Sequence, residues 1–90
     1  MQFVWLGILK EGSKPDQEVQ IETTSFLQQP FVPISAAGAL RDDEGKRVGM
    51  MMIFEASDFE AAEALVANSP FRRAGLYREH HLFEYRNEVG

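Results

Sequence analysis

The sequence predicts an α+β fold in the order β-α-β-β-α-β, with its four strands in one antiparallel sheet. Three observations predict it. The chain opens on an apolar run, QFVWLGILK, that alternates between two faces. A polar break at Asp42-Asp43-Glu44-Gly45 separates two further apolar runs, and a capped, Ala-rich stretch, SDFEAAEALVANSP, leads into a last alternating segment. Ninety residues form a single domain, 1–90, because chains divide into separate cores only well beyond this length.

From Gln2 to Lys10, Phe3, Trp5 and Leu9 fall on one side and Val4, Leu6 and Ile8 on the other. Both faces are apolar, which is the pattern of a central strand covered on each side. The stretch EGSKPD supplies Gly, Ser and Pro for a loop, and Gln17 to Gln29 follows, ending against Pro30. Val19, Ile21 and Thr23 would suit a strand, whereas Val19, Thr23, Phe26 and Leu27 form a helical face. The order of the surrounding elements selects the helix.

VPISAAGALRDDEGKRVGMMMIFEA reads as two strands joined at the polar break. In the second of them Val48, Met50, Met52 and Phe54 share one face while Met51 and Ile53 lie on the other, so it too is central. Next, Ser57 is placed to accept from the backbone N–H of Glu60, with the Glu60 side chain reaching back, as in a capping box. Asp58 and Glu60 suit the positive end of the helix dipole. Phe59, Ala62, Leu65 and Val66 form the expected buried stripe, and Pro70 is expected to stop the helix. A bend closed by Gly75 then leads to an edge strand, LYREHHLFEY. Tyr77, Glu79, His81, Phe83 and Tyr85 are assigned to one of its faces and Arg78, His80, Leu82 and Glu84 to the other.

This order is that of the ferredoxin-like split βαβ arrangement, whose helices cover one face of the sheet. The other face would remain apolar on its central strands, so a homodimer joined sheet to sheet is expected. A small domain gains from such burial, since on its own it hides only about 60–65% of its unfolded surface.

With 14 acidic and 9 basic residues the net charge is −5. That disfavours nucleic acid and anionic membrane surfaces as partners, since both attract basic patches. Cysteine is absent, which removes disulfides, thiolate metal sites and a cysteine nucleophile. No basic n-region or long apolar segment opens the chain, and a cytoplasmic location is the expectation.

Candidate chemistry is sparse. His80 and His81 are adjacent, so in a strand they point to opposite faces and cannot share a metal. Glu79 and His81 share a face, yet a tetrahedral zinc site needs a further donor that no spaced set of histidines provides, and no metal is expected. The alternative is that both histidines are edge or interface residues. Arg72 and Arg73 suit a carboxylate ligand or an acidic patch on a partner subunit or, more simply, a solvated turn pairing locally with Glu60 or Glu63. Met50, Met51 and Met52 suit an adaptable ligand surface or, more simply, a core and an interface. Trp5 is expected in core or interface rather than as a stacking platform. No phosphate loop, nucleophile elbow or zinc-protease helix is present, and no cofactor is expected.

FEASDFEAAEALVANSPFRRAGLY resembles the YciI-like (YCII-related) family, through an acidic-ended strand, a helix entered by FEAA, then Pro70-Phe71, Ala74-Gly75 and Tyr77. The AAGAL of the second strand adds to the likeness. The resemblance implies a dimeric ferredoxin-like α+β barrel with a pocket near the end of the second helix. For members that are enzymes it implies action on small organic molecules, chlorinated rings among them, through a His on the first helix and an Asp just before the motif's Pro. A carboxylate can hold an imidazole near the pKa useful for proton transfer.

Here Ser69 precedes Pro70, and no histidine lies between Met1 and Glu79. The sequence therefore predicts a small-molecule-binding dimer without the dyad, its anionic or aromatic ligand lined by Ser69, Phe71, Arg72 and Arg73. Two other readings stand beside it. One is an enzyme with a relocated acid–base group, His81 or Glu79, acting on a small ring or lactone. The other is a structural or interaction module with no catalysis.

Overall fold

The computed structural model describes residues 1–13, 17–29 and 33–90. Part of the expected loop (14–16) and the expected helix stop at Pro30 lie outside the described residues. The elements are β1 (Gln2–Leu9), α1 (Gln17–Leu27), β2 (Ile34–Arg41), β3 (Arg47–Glu55), α2 (Phe59–Ala67), α3 (Pro70–Arg73) and β4 (Tyr77–Tyr85). The strands form one antiparallel sheet in the order β2-β3-β1-β4. The predicted α+β order and the central places of β1 and β3 are thus found.

Alternation along β1 and β3 sorts side chains to the two faces. Register pairs Phe3 with Phe54 and Trp5 with Met52, and these four residues are buried under the helices. Ala62 and Val66 of α2 and Phe71 of α3 close that core from above. Phe3 meets Phe54 at 6.1 Å and Trp5 meets Phe71 at 5.0 Å between ring centroids. Each such buried side chain contributes on the order of 1.5–3 kcal/mol through removal of apolar surface from water. Trp5 is therefore core, and the three methionines divide, with Met50 and Met52 buried and Met51 on the other face.

The helical reading of α1 holds, and Val19, Thr23, Phe26 and Leu27 are its half-buried face. Phe26 sets its ring edge-on to Phe71 at 6.1 Å, which ties α1 to α3. The β2–β3 turn is built by Asp42, whose carboxylate accepts from the backbone N–H groups of Glu44 and Lys46 at 3.0 and 2.9 Å. Gly45 takes a positive φ of 81° there, a conformation cheap only for glycine.

Four expectations are corrected. The cap of α2 is Asp58, not Ser57: its carboxylate accepts from the backbone N–H of Ala61 at 2.8 Å. Phe59 is not part of a buried stripe but stays 47% exposed, its ring edge-on to Phe3 at 4.8 Å. Pro70 ends α2 but also begins a further turn of helix, α3, in the first-turn position where its missing N–H costs nothing. Finally, β4 slips by one residue against β1, with Ile8 opposite Glu79 and Leu9 opposite Tyr77. The extra residue, Arg78, turns Tyr77 to the helix-covered face, where its ring meets Trp5 edge-on at 5.2 Å.

The sheet's second face carries Val4, Leu6, Ile8, Met51, Ile53 and Phe83, with no helix over it among the described residues; Phe83 is 53% exposed. Among the described residues no helix is long and apolar enough to cross a membrane.

Candidate functional site

The α3 turn directs successive side chains to different places. Phe71 is buried and lines a cavity of about 250 Å³ between α1 and the β2–β3 strands. Val19, Leu27 and Met50 supply further apolar wall, and Thr23, Thr24, Arg47 and Tyr77 supply polar groups. Arg47 Nε is buried and has no hydrogen-bond partner among the described residues. A buried N–H left in that state forfeits about 1–3 kcal/mol, so such donors are rare unless an acceptor comes from elsewhere.

Among the described residues the Tyr77 hydroxyl reaches only the Met50 sulfur, at 3.9 Å, which is a weak acceptor. Burial pushes the Tyr77 phenol above its ordinary pKa, and the nearby Arg47 charge opposes that only in part. The group is a neutral O–H at physiological pH. Arg47 and Tyr77 thus give this cavity a fixed cation and a neutral donor above an aromatic and thioether wall.

The four expected ligand residues do not line one cavity. Ser69 is fully buried, and its hydroxyl donates to the Val66 carbonyl at 2.5 Å. The side chain is spent on the end of α2 and lines neither this cavity nor the second one described next. Arg72 lies on the opposite side of α3 from Phe71, beside α2 and β4, where its Nη2 is 2.7 Å from His80 Nε2. Arg73 sits in a shallow depression with Glu18 and Glu22 of α1. Among the described residues neither arginine forms the expected ion pair with Glu60 or Glu63.

The two histidines do point to opposite faces. His80 lies over Trp5 on the helix side, with ring centroids 6.4 Å apart, and because arginine only donates, its Nε2 accepts from Arg72. The ring is then neutral with its proton on Nδ1. Partial burial lowers its pKa, with the charges of Arg72 and His81 acting in the same direction. His81 lies on the uncovered face, 3.6 Å from Glu79 and stacked on Phe83 at 6.0 Å. The Glu79–His81 pairing expected from the strand's period is present, but it lines neither cavity. Among the described residues no cluster of three His, Cys, Asp or Glu side chains could hold a metal ion.

Arg47 and Tyr77 line the cavity between α1 and β2–β3, and the sequence reading did not single them out for it. Arg47 was visible as a cation opening an otherwise apolar strand, whereas Tyr77 was assigned to the wrong face because a bulge leaves no period to read.

Solved structures share this fold. TftG, the 5-chloro-2-hydroxyhydroquinone dehydrochlorinase of Burkholderia phenoliruptrix AC1100, solved with 2,5-dihydroxybenzoquinone, superposes with a TM-score of 0.75 at 19% identity. The match covers 98% of this chain and 96% of that one. SnoaB, a cofactor-independent oxygenase from Streptomyces nogalater, gives a TM-score of 0.53 at 22% identity over 98% and 94% of the two chains. No curated protein sequence matches the chain. The YCII-related domain model matches residues 1–86. With nearly the whole length so matched, and with the predicted strand order in place, the chain belongs to the YCII-related domain family.

Proposed function

We propose that this YCII-related domain is a homodimeric small-molecule-binding protein that takes one anionic or hydroxylated ring into the cavity between α1 and β2–β3. The Arg47 guanidinium and the Tyr77 phenol on the lining of one cavity carry this reading. A phenolate or carboxylate oxygen would meet the guanidinium, a second oxygen would accept from Tyr77, and the ring would lie against Phe71, Met50 and Leu27. At about 250 Å³ the space falls below the range usual for drug-sized ligands, which favours a single ring. TftG, of the same fold, was solved with a ligand of that size and chemistry. Ser69 stands where the family resemblance implies an Asp, and no histidine precedes His80 in the chain. Binding without the inherited proton transfer is what remains.

Thermal unfolding against a panel of benzoates, phenols, quinols and dihydroxyquinones tests this. A ligand selective for the native state raises apparent stability by RT ln(1 + [L]/Kd), or about 2.7 kcal/mol at a hundredfold excess over Kd. The hit should weaken by roughly tenfold or more in Arg47→Gln, and by less in Tyr77→Phe, which removes a neutral hydrogen bond alone. A hit of undiminished affinity in Arg47→Gln would place the ligand elsewhere.

A further inference from the structure

On the other side of α3 lies a second cavity, of about 220 Å³, between α2 and β4. Trp5 lines it, with Val66 and Leu82 as apolar wall, and Glu63 and Arg72 bring opposite charges to it. Those two charges are not joined. Among the described residues Glu63 forms no ion pair, and Arg72 donates instead to the neutral His80 ring.

A guanidinium held by a neutral acceptor keeps its full charge, and with one of its five N–H donors committed it still has a free edge for a carboxylate. The His80 contact and the stacking of His80 on Trp5 also fix the guanidinium in place, so that less side-chain entropy remains to be lost on binding.

An isolated carboxylate ligand would satisfy Arg72 but meet Glu63, and an isolated amine would do the reverse. A molecule carrying both charges next to an apolar group satisfies the whole lining. We propose that this cavity binds a small zwitterion, an α-amino acid with an apolar side chain: its carboxylate on Arg72, its ammonium on Glu63, its side chain against Trp5, Val66 and Leu82. This site is separate from the ring cavity and does not rest on it.

Trp5 is the only tryptophan of the chain, so its emission reports on the cavity directly. Titration of the full chain with L-leucine should give a saturable emission change, confirmed by calorimetric heat. Two analogues each lack one charge, 4-methylpentanoate the ammonium and 3-methylbutylamine the carboxylate. Each should bind at least about tenfold more weakly, the loss expected when one charge-assisted partner goes missing. Arg72→Met and Glu63→Gln should show the same loss for leucine. Arg73→Gln, which removes an equal charge on the neighbouring residue, should leave the affinity within about twofold, as expected of a surface position away from the site. Absence of both emission change and heat with leucine overturns the proposal. So does 4-methylpentanoate binding as tightly as leucine, which would remove Glu63 from the site. Because the titration contains no ring compound and leaves Arg47 intact, it can fail while the first cavity binds its ligand, and the reverse.

Discussion

Gly7 lies directly beneath the Trp5 ring, where a Cβ would press on Trp5 Cη2 and approach Tyr77 Cδ1 to 2.8 Å. The position is therefore glycine for space and not for backbone freedom. Trp5 lines the cavity beside Arg72, and Tyr77 lines the one beside Arg47, so this absent methyl lets two site residues meet at 5.2 Å over one strand. Gly7→Ala should cost about 1–3 kcal/mol, the usual penalty of forcing a methyl into a packed core. Urea unfolding monitored by Trp5 emission measures it. A cost near zero would mean that the Trp5 and Tyr77 rings can move apart freely.

Secondary-structure elements differ in how far their own residues announce them. Asp58 sets the start of α2 through its 2.8 Å bond to Ala61 N–H, so Asp58→Ala should destabilise by about 0.5–2 kcal/mol while Ser57→Ala stays within about 0.5. Equal effects, read from denaturant midpoints, would return the cap to Ser57. Sequence alone favoured Ser57 because Glu60 three residues on completes a capping box, yet Asp58 offers an equally good cap one residue later. Such one-residue choices are settled by how α2 must lie to bury Ala62 and Val66, a tertiary constraint. β1 and β3 were legible because Phe3, Trp5, Met50, Met52 and Phe54 alternate over a full strand, and the turn was legible in Asp42 and Gly45. α3 was not, since four residues complete one turn and give no period, and Pro70 reads as a stop from one side and a start from the other. For the same reason the site was half legible. Phe71 and Arg72 were expected on one ligand site, but the helical turn that sends them to opposite cavities was invisible, and so was the bulge at Arg78 that brings Tyr77 to the first of them.

At the level of the molecule, the sheet is covered by helices on one side and bare on the other. Leu6 and Met51 face each other across β1 and β3 on the bare side, with Val4, Ile53 and Phe83 around them. Such a surface in a ninety-residue domain is what a second copy would cover, because further burial offsets the small core. The proposed dimer should sediment at twice the 10.2 kDa chain mass at micromolar concentration. Leu6→Glu, which brings a charge to the centre of the bare face of each subunit, should yield a folded monomer, since a like-charged pair buried without partners costs several kcal/mol. Wild-type protein that sediments as a monomer would rule the dimer out. Both cavities lie on the helix-covered side, away from Leu6, so the monomeric variant should keep its ring affinity and its leucine affinity within about twofold, the additivity expected of distant sites. The Glu79–His81 pair stands on the bare face instead. If chemistry resided there, an activity would vanish with the dimer while binding at both cavities survived, and that separation would assign the activity to the interface.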